Sequence, residues 1–262
     1  MIRKKRRLNE RIKRQVAERI TECEKRGGVS ASLFLDGEMN DALSYAKCFF
    51  YVGTPRHFRG FVSVFFPEET TGELTAAYGE GNEAELNALF LAAIKECNEN
   101  GIETLYTVVN PTGGFRLPEE EFSFRYSYSE YFLCRKTGEV PEDTEKANVV
   151  GGCEVRRQEV SGEPVKYSLY AGGEEVTFCY LEAYDGGWGW YLYHLETAEN
   201  HRRKGYATRL ICEVLKDTAA RGGQVLRLQV SSRNTAAERL YRGLGFVTEE
   251  QRDYYLTESL EV

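Results

Sequence analysis

One pattern occurs twice along this chain, and it narrows the possible folds more than any other feature. Residues 73–111 read ELTAAYGEGNEAELNALFLAAIKECNENGIETLYTVVNP, and residues 194–234 read HLETAENHRRKGYATRLICEVLKDTAARGGQVLRLQVSSRN. Each begins as a strand, turns, and enters a helix. The first helix sets Leu86, Leu89, Phe90, Ala93, Ile94 and Cys97 on one face, the second Ala207, Leu210, Ile211, Val214, Leu215 and Thr218. Both follow the i, i+3, i+4, i+7 spacing of an amphipathic helix. Both helices stop at glycine, in ENG and ARGG, as helix ends do when a left-handed residue must follow. A strand comes next in each copy, TLYTVV or VLRLQV, and ends in a polar turn at Asn110 or Asn234.

The flanks repeat as well. FSFRYSYSEYFLCRK (residues 122–136) and GFVTEEQRDYYLTE (residues 245–258) each read as a strand, a turn and an aromatic strand. Residues 137–152, TGEVPEDTEKANVVGG, are polar and broken by Pro and Gly, which reads as a linker. The expected organisation is therefore two α/β units, residues 1–140 and 150–262.

Charge is unevenly placed. Of 34 Lys+Arg and 41 Asp+Glu, residues 1–26 hold 11 and 4, leaving 23 basic and 37 acidic residues for the rest. An acidic body favours cationic small molecules over nucleic acid. The basic start carries one apolar stripe, Leu8, Ile12, Val16 and Ile20, and reads as a solvated helix docked on the body. No aromatics interleave with its charges and no nucleic-acid-reading motif follows. No apolar run is long enough to span a membrane. Seven cysteines stand singly, the pattern of reduced cytosolic thiols that fill cores. Three histidines without matching cysteine spacing give no structural zinc site, and no metal is expected. The oligomeric state is not legible.

The turn of the second copy carries the chemistry. HRRKGYATRL, residues 201–210, places Arg202, Arg203 and Lys204 ahead of Gly205 at a helix start. The first amides of a helix lack intrahelical partners and the macrodipole makes that end positive, so phosphate binds there readily. Gly205 admits close backbone approach and Ala207 keeps the next turn uncrowded. The pattern asks for a phosphorylated ligand.

RRKGYA, residues 202–207, resembles the Arg/Gln-x-x-Gly-x-Gly/Ala turn of the GCN5-related N-acetyltransferases (GNAT). NTAAERLYRGLGF, residues 234–246, resembles the second signature of that family, in the right order and with a helix and a strand between. The whole resembles a tandem GNAT protein with one degenerate copy. That resemblance implies an α/β (α+β) protein of two GNAT-like units, each a mixed twisted sheet flanked by helices. It implies acetyl-CoA as co-substrate, its pyrophosphate on Arg202, Arg203, Lys204, Gly205, Tyr206 and Ala207, with Thr208 just inside the helix. It implies that the strand backbone at Leu195, Glu196 and Thr197 pairs with the pantetheine arm and polarises the thioester carbonyl. Asn234 matches the residue that holds the arm, and Tyr241 the tyrosine that protonates the departing thiolate. The implied activity is transfer of an acetyl group to a primary amine of a small acceptor by direct attack. A non-catalytic CoA-binding module and an aminoacyl or other acyl transferase are the rival readings.

A phenol near pKa 10 can donate to a thiolate whose acid lies near 8.5. Tyr241 is also one of 17 tyrosines and could be a core ring. For the base that takes the amine proton, Glu196 and His194 are the candidates, and strand alternation sets them on one face opposite Leu195. In the first copy the turn reads YGEGNEAE, residues 78–85, with Glu80, Glu83 and Glu85 where the second has cations. Those carboxylates suit a helix start and repel a pyrophosphate. After Asn110, PTGGFRLPEEEF is too short and Pro-broken to carry the tyrosine helix. The first unit is expected to bind no CoA and to wall the acceptor cleft, with FSFRYSYSEYF and LEAYDGGWGW as candidate lining.

Overall fold

The computed structural model describes residues 1–30, 43, 45–79, 83–138, 152–258 and 260. It divides into two compact units, Met1–Ser129 with Gln251–Val262, and Glu130–Glu250. This division differs from the expected 1–140 and 150–262. The reason lies in the two aromatic flanks. Each is one uninterrupted strand, β6 (Arg125–Lys136) and β12 (Val247–Thr257), not a strand, a turn and a strand. Neither contains the Gly or Pro that would end it. Each strand therefore begins in one unit and finishes in the other. Of the expected linker, residues 139–151 lie outside the described residues.

In the first unit the strands are β1 (Ile2–Lys5), β2 (Cys48–Thr54), β3 (His57–Phe65), β4 (Thr71–Tyr78) and β5 (Thr104–Val109). The sheet order is β1-β2-β3-β4-β5-β12-β6. Its helices are α1 (Glu10–Glu24) and α2 (Glu83–Glu99). The basic start is not all helix: Ile2 to Lys5 pair antiparallel with β2, and the helix begins only after Asn9, whose side chain accepts from the Ile12 amide at 2.9 Å. An Asn at that position satisfies a donor the helix itself cannot. Val16 and Ile20 are buried, and so is Leu8 ahead of the helix. In α2 all six residues of the expected apolar face are buried.

The second unit contains β7 (Cys153–Gln158), β8 (Val165–Ala171), β9 (Glu174–Tyr184), β10 (Gly189–Thr197) and β11 (Val225–Ser231). Its sheet runs β6-β11-β10-β9-β8-β7. The helices are α3 (Tyr206–Ala220) and α4 (Thr235–Gly243). α3 buries Leu210, Ile211, Cys212, Val214, Leu215 and Thr218, in one core with Trp190, Leu192, Cys179, Leu181, Leu226, Leu228 and Tyr241. Each such apolar side chain contributes about 1.5–3 kcal/mol on burial.

The repeat seen in the sequence is a repeat of topology. β4 and β5 are parallel with α2 between them in the chain, and β10 and β11 are parallel with α3 between them. Elsewhere neighbours are antiparallel where their pairing is resolved. The strands of each unit thus pair in both senses. All seven cysteines are free thiols, and five of them are buried.

Candidate acyl-transfer site

In the second unit the parallel ladder is short. Gly189, Trp190 and Tyr191 pair with Val225, Leu226 and Arg227. Beyond that point β10 continues to Thr197 and β11 to Ser231, and among the described residues no segment pairs with β10 in the gap. The two strands splay.

β10 also carries a bulge at this point. Its register with β9 steps from Tyr193↔Tyr180 to Glu196↔Phe178, so three residues on β10 advance against two on β9. His194 absorbs the extra residue at φ 53. A bulge takes a residue out of the ladder and re-aims the backbone, and positive φ is uncommon for a residue with a Cβ. Simple alternation therefore fails for His194, Leu195 and Glu196, because the bulge interrupts the period of two. The two side chains still meet, with His194 Nε2 3.6 Å from a Glu196 carboxylate oxygen, both more than half exposed. Leu195 packs on the core.

A short 3-10 turn, Glu199–His201, leads from β10 to the basic stretch. Arg203 (φ 65) and Gly205 (φ 83) both adopt left-handed backbone. Of the three non-glycine residues with positive φ among the described residues, His194 and Arg203 belong to this site and Ser123 does not. Such conformations concentrate where function requires them. The Arg202 amide donates to the Glu199 carbonyl at 3.2 Å, and the turn then leads into the start of α3, an end suited to an anion. Gly205 offers no side-chain cap, and the first turn of α3 holds no acidic residue. The guanidinium of Arg202 donates from Nε to the Thr197 carbonyl at 3.1 Å, and Lys204 donates to the Asn200 carbonyl at 2.8 Å. These bonds tie the turn to the end of β10. Arg202, Arg203 and Lys204 are exposed, while Gly205, Ala207 and Thr208 are half-buried. Tyr206 turns its ring toward His201, centroids 5.7 Å apart, and against the core.

Tyr241 comes from α4. It is 6% exposed and packs edge-on to Phe246. Burial pushes its phenol up to about 12, with the neighbouring Cys179 thiol and Tyr191 phenol adding to the rise. Cys179 lies on β9 between Phe178 and Tyr180, the two residues that flank the bulge in the ladder. Tyr241 shares its core with Cys179 and with Leu192, the residue of β10 just past the ladder with β11, and it holds its proton at neutral pH. Asn234 caps α4, its side-chain oxygen accepting from the Ala237 amide at 3.2 Å. Its amide nitrogen is left to donate to a ligand.

Sequence reasoning missed the bulge and its surroundings. Cys179 had no signal beyond its burial. Phe178, Tyr180 and Tyr193 were visible only as strand aromatics. Of LEAYDGGWGW, Trp190 is in the core and Trp188 is exposed just after the 3-10 turn.

The acetyltransferase (GNAT) family profile matches residues 102–246. The chain belongs to the GNAT family. No curated protein matches it in sequence. Among solved structures it is similar to a GCN5-related N-acetyltransferase from Sphaerobacter thermophilus, with a TM-score of 0.70, 14% identity, and coverage of 98% of this chain and 95% of that one. A tandem GNAT protein from the clavulanic acid biosynthesis pathway gives 0.69 at 11% identity, covering 98% of each chain. A GNAT-family acetyltransferase from Colwellia psychrerythraea gives 0.59 at 12%, also over 98% of each. At such identity the likeness is one of fold.

The family's topology has a counterpart in the first unit, with a different outcome. There Thr71 to Leu74 pair with Thr104 to Thr107, and β4 then continues to Tyr78 without β5, still paired with β3 on its other side. The gap is filled by the chain itself. Val29 bridges Ala77 antiparallel. The Ser30 amide donates to the Ala76 carbonyl at 2.8 Å, and the Ala76 amide donates to Ser30 Oγ at 2.9 Å. The Asn110 amide, at the end of β5, donates to the Ser30 carbonyl. Val29 and Ser30 are buried. A Cβ on Gly28 would collide with the Tyr78 carbonyl, so glycine is what lets this segment reach β4. Of the expected acidic turn, residues 80–82 lie outside the described residues. Glu85 forms a bidentate pair with Arg59.

Proposed function

We propose that the second unit transfers an acetyl group from acetyl-CoA to a primary amine of a small acceptor. The observation that carries this reading is the meeting of three features. These are a splay between parallel strands, a cationic helix start without a cap, and a buried, protonated tyrosine that shares its core with Leu192 of β10. Acetyl-CoA supplies an activated thioester. The amides of residues 203–208 and the cations of Arg202, Arg203 and Lys204 hold its pyrophosphate. The backbone of Leu195, Glu196 and Thr197 receives the pantetheine arm, and N–H groups at the bulge stabilise the developing oxyanion, a contribution of about 3–4 kcal/mol for one such donor in acyl transfer generally. Asn234 donates to the arm from its amide.

The acceptor nitrogen must be neutral to attack. As the C–N bond forms and the C–S bond breaks, the amine proton passes through water toward Glu196 and its neighbour His194. Tyr241 Oη gives its proton to the leaving sulfur. The seven free thiols suit a reducing compartment, the cytoplasm.

The test is a thermal melt with acetyl-CoA, followed by acetylation of an amine panel. At a hundredfold excess over the dissociation constant, linkage gives about 2.7 kcal/mol of stabilisation and a rise of several degrees. Arg203→Glu abolishes the rise if this turn is the pyrophosphate site. Stabilisation without acetylation of any amine would turn the reading toward a non-catalytic CoA-binding module. No rise in the unaltered protein would end it.

A further inference from the structure

Resting on that reading, we infer that the acceptor carries at least two amines: one is acetylated while a second, still protonated, rests on an aromatic wall beside the bulge. The wall is made by Phe178 and Tyr180 of β9 with Tyr191, Tyr193 and His194 of β10. Their side chains lie on the sheet face opposite Cys179, Leu181, Trp190 and Leu192, which fill the core. His194 stacks on Phe178 at 5.7 Å and meets Tyr180 edge-on at 6.0 Å. Tyr180 stacks on Tyr193 at 5.8 Å, and Tyr193 lies 6.4 Å from Tyr191. The rings thus run without a break from the bulge, where the acyl group is to be transferred, back along β10. Phe178, Tyr180, Tyr191 and Tyr193 are only half-buried, and His194 is exposed.

Two kinds of observation say what covers them. The face already holds a cation: the Lys166 ammonium lies 4.6 Å from the centroid of Phe178. That charge is matched by Glu175 at 2.9 Å. Two further carboxylates are exposed beside the rings. Glu182 is across the ladder from Tyr191, and Glu196 follows the bulge. Burial pushes the Tyr193 phenol up, and the nearby Glu182 carboxylate raises it further. Ring faces flanked by carboxylates attract ammonium groups. The nitrogen that attacks cannot be the ammonium so held, because an alkylamine near pKa 10 must first lose its proton. A cation-selective wall next to a site that consumes a neutral amine therefore calls for a second charged nitrogen in the same molecule.

The experiment measures amine binding directly by calorimetry, on the full chain saturated with CoA. The probes are 1,5-diaminopentane, pentylamine and 5-aminopentan-1-ol, which share a backbone and differ in the far group. The expected result is diamine binding at least tenfold tighter than either monoamine. Tyr180→Leu with Tyr193→Leu erases that preference. Glu182→Gln, an exposed and conservative change, reduces it severalfold while leaving the acetyl-CoA melting shift intact. Equal binding of all three probes, absence of binding, or a preference that survives both variants overturns the inference. Failure of the acetyltransferase reading itself shows separately, as absence of the acetyl-CoA shift in the unaltered protein.

Discussion

The two units carry the same parallel strand, helix and strand, and both pairs of strands part after three or four registered residues. In the second unit, among the described residues, no segment pairs with β10 in the gap, and a cationic turn follows that strand. In the first the gap is sealed by Gly28, Val29 and Ser30, which bond to both strands. The lesson is that a splayed sheet leaves strand backbone unsatisfied, and something must satisfy it. A pantetheine arm can do so in one copy. In the other the protein's own backbone does. In the first unit a helix start without cations and a gap closed by the chain itself occur together.

This contrast can be broken or sharpened in several ways. The largest effect is expected from Val29→Asp, which places a carboxylate at a 4% exposed position with no partner provided. An unpaired buried charge costs about 3–5 kcal/mol. Urea unfolding should show the first unit melting early, with acetyl-CoA affinity unchanged. A matching loss of affinity would mean that the two clefts are not independent.

Next in size is Tyr241→Phe. Removing a general acid costs about 10²–10⁴ in rate, and kcat should fall while the acetyl-CoA melting shift stays. Because the phenol is pushed up to about 12, the native enzyme should show no loss of rate near pH 10 from this group. A rate that falls there, or full activity in the variant, argues against the role of Tyr241.

The last effect reaches both units, through two thiols of the first and one of the second. Burial pushes the thiols of Cys48, Cys97 and Cys179 up to about 12 from an ordinary 9.0. The unfolded chain releases these protons from about pH 9, while the folded chain keeps them to about pH 12. The unfolded state then binds fewer protons, so stability is full below pH 9 and falls as pH rises through that window. Chemical denaturation between pH 8 and 11 checks the slope. A flat profile would mean that the thiols are not held this way.

Much of this was legible in the sequence, and the exceptions have physical reasons. Periodicity located α2 and α3, because an amphipathic face is a local pattern. The cationic turn and Tyr241 could be read from two short signatures. The division of the chain could not, because nothing local tells a long strand that its two halves belong to different units. The bulge at His194 left no mark either, since a histidine at φ 53 is imposed by its surroundings and not by its type. The seal at Val29 depends on a contact with Ala77, 48 positions away, which no local pattern announces.

The central claim is that one chain offers one acyl-donor site, in the second unit. Isothermal titration with acetyl-CoA tests it most directly. The account predicts one equivalent bound per chain, weakened at least tenfold by Arg203→Glu and unaffected by Glu85→Lys. Two equivalents per chain, or a single one that Arg203→Glu leaves intact, would contradict it.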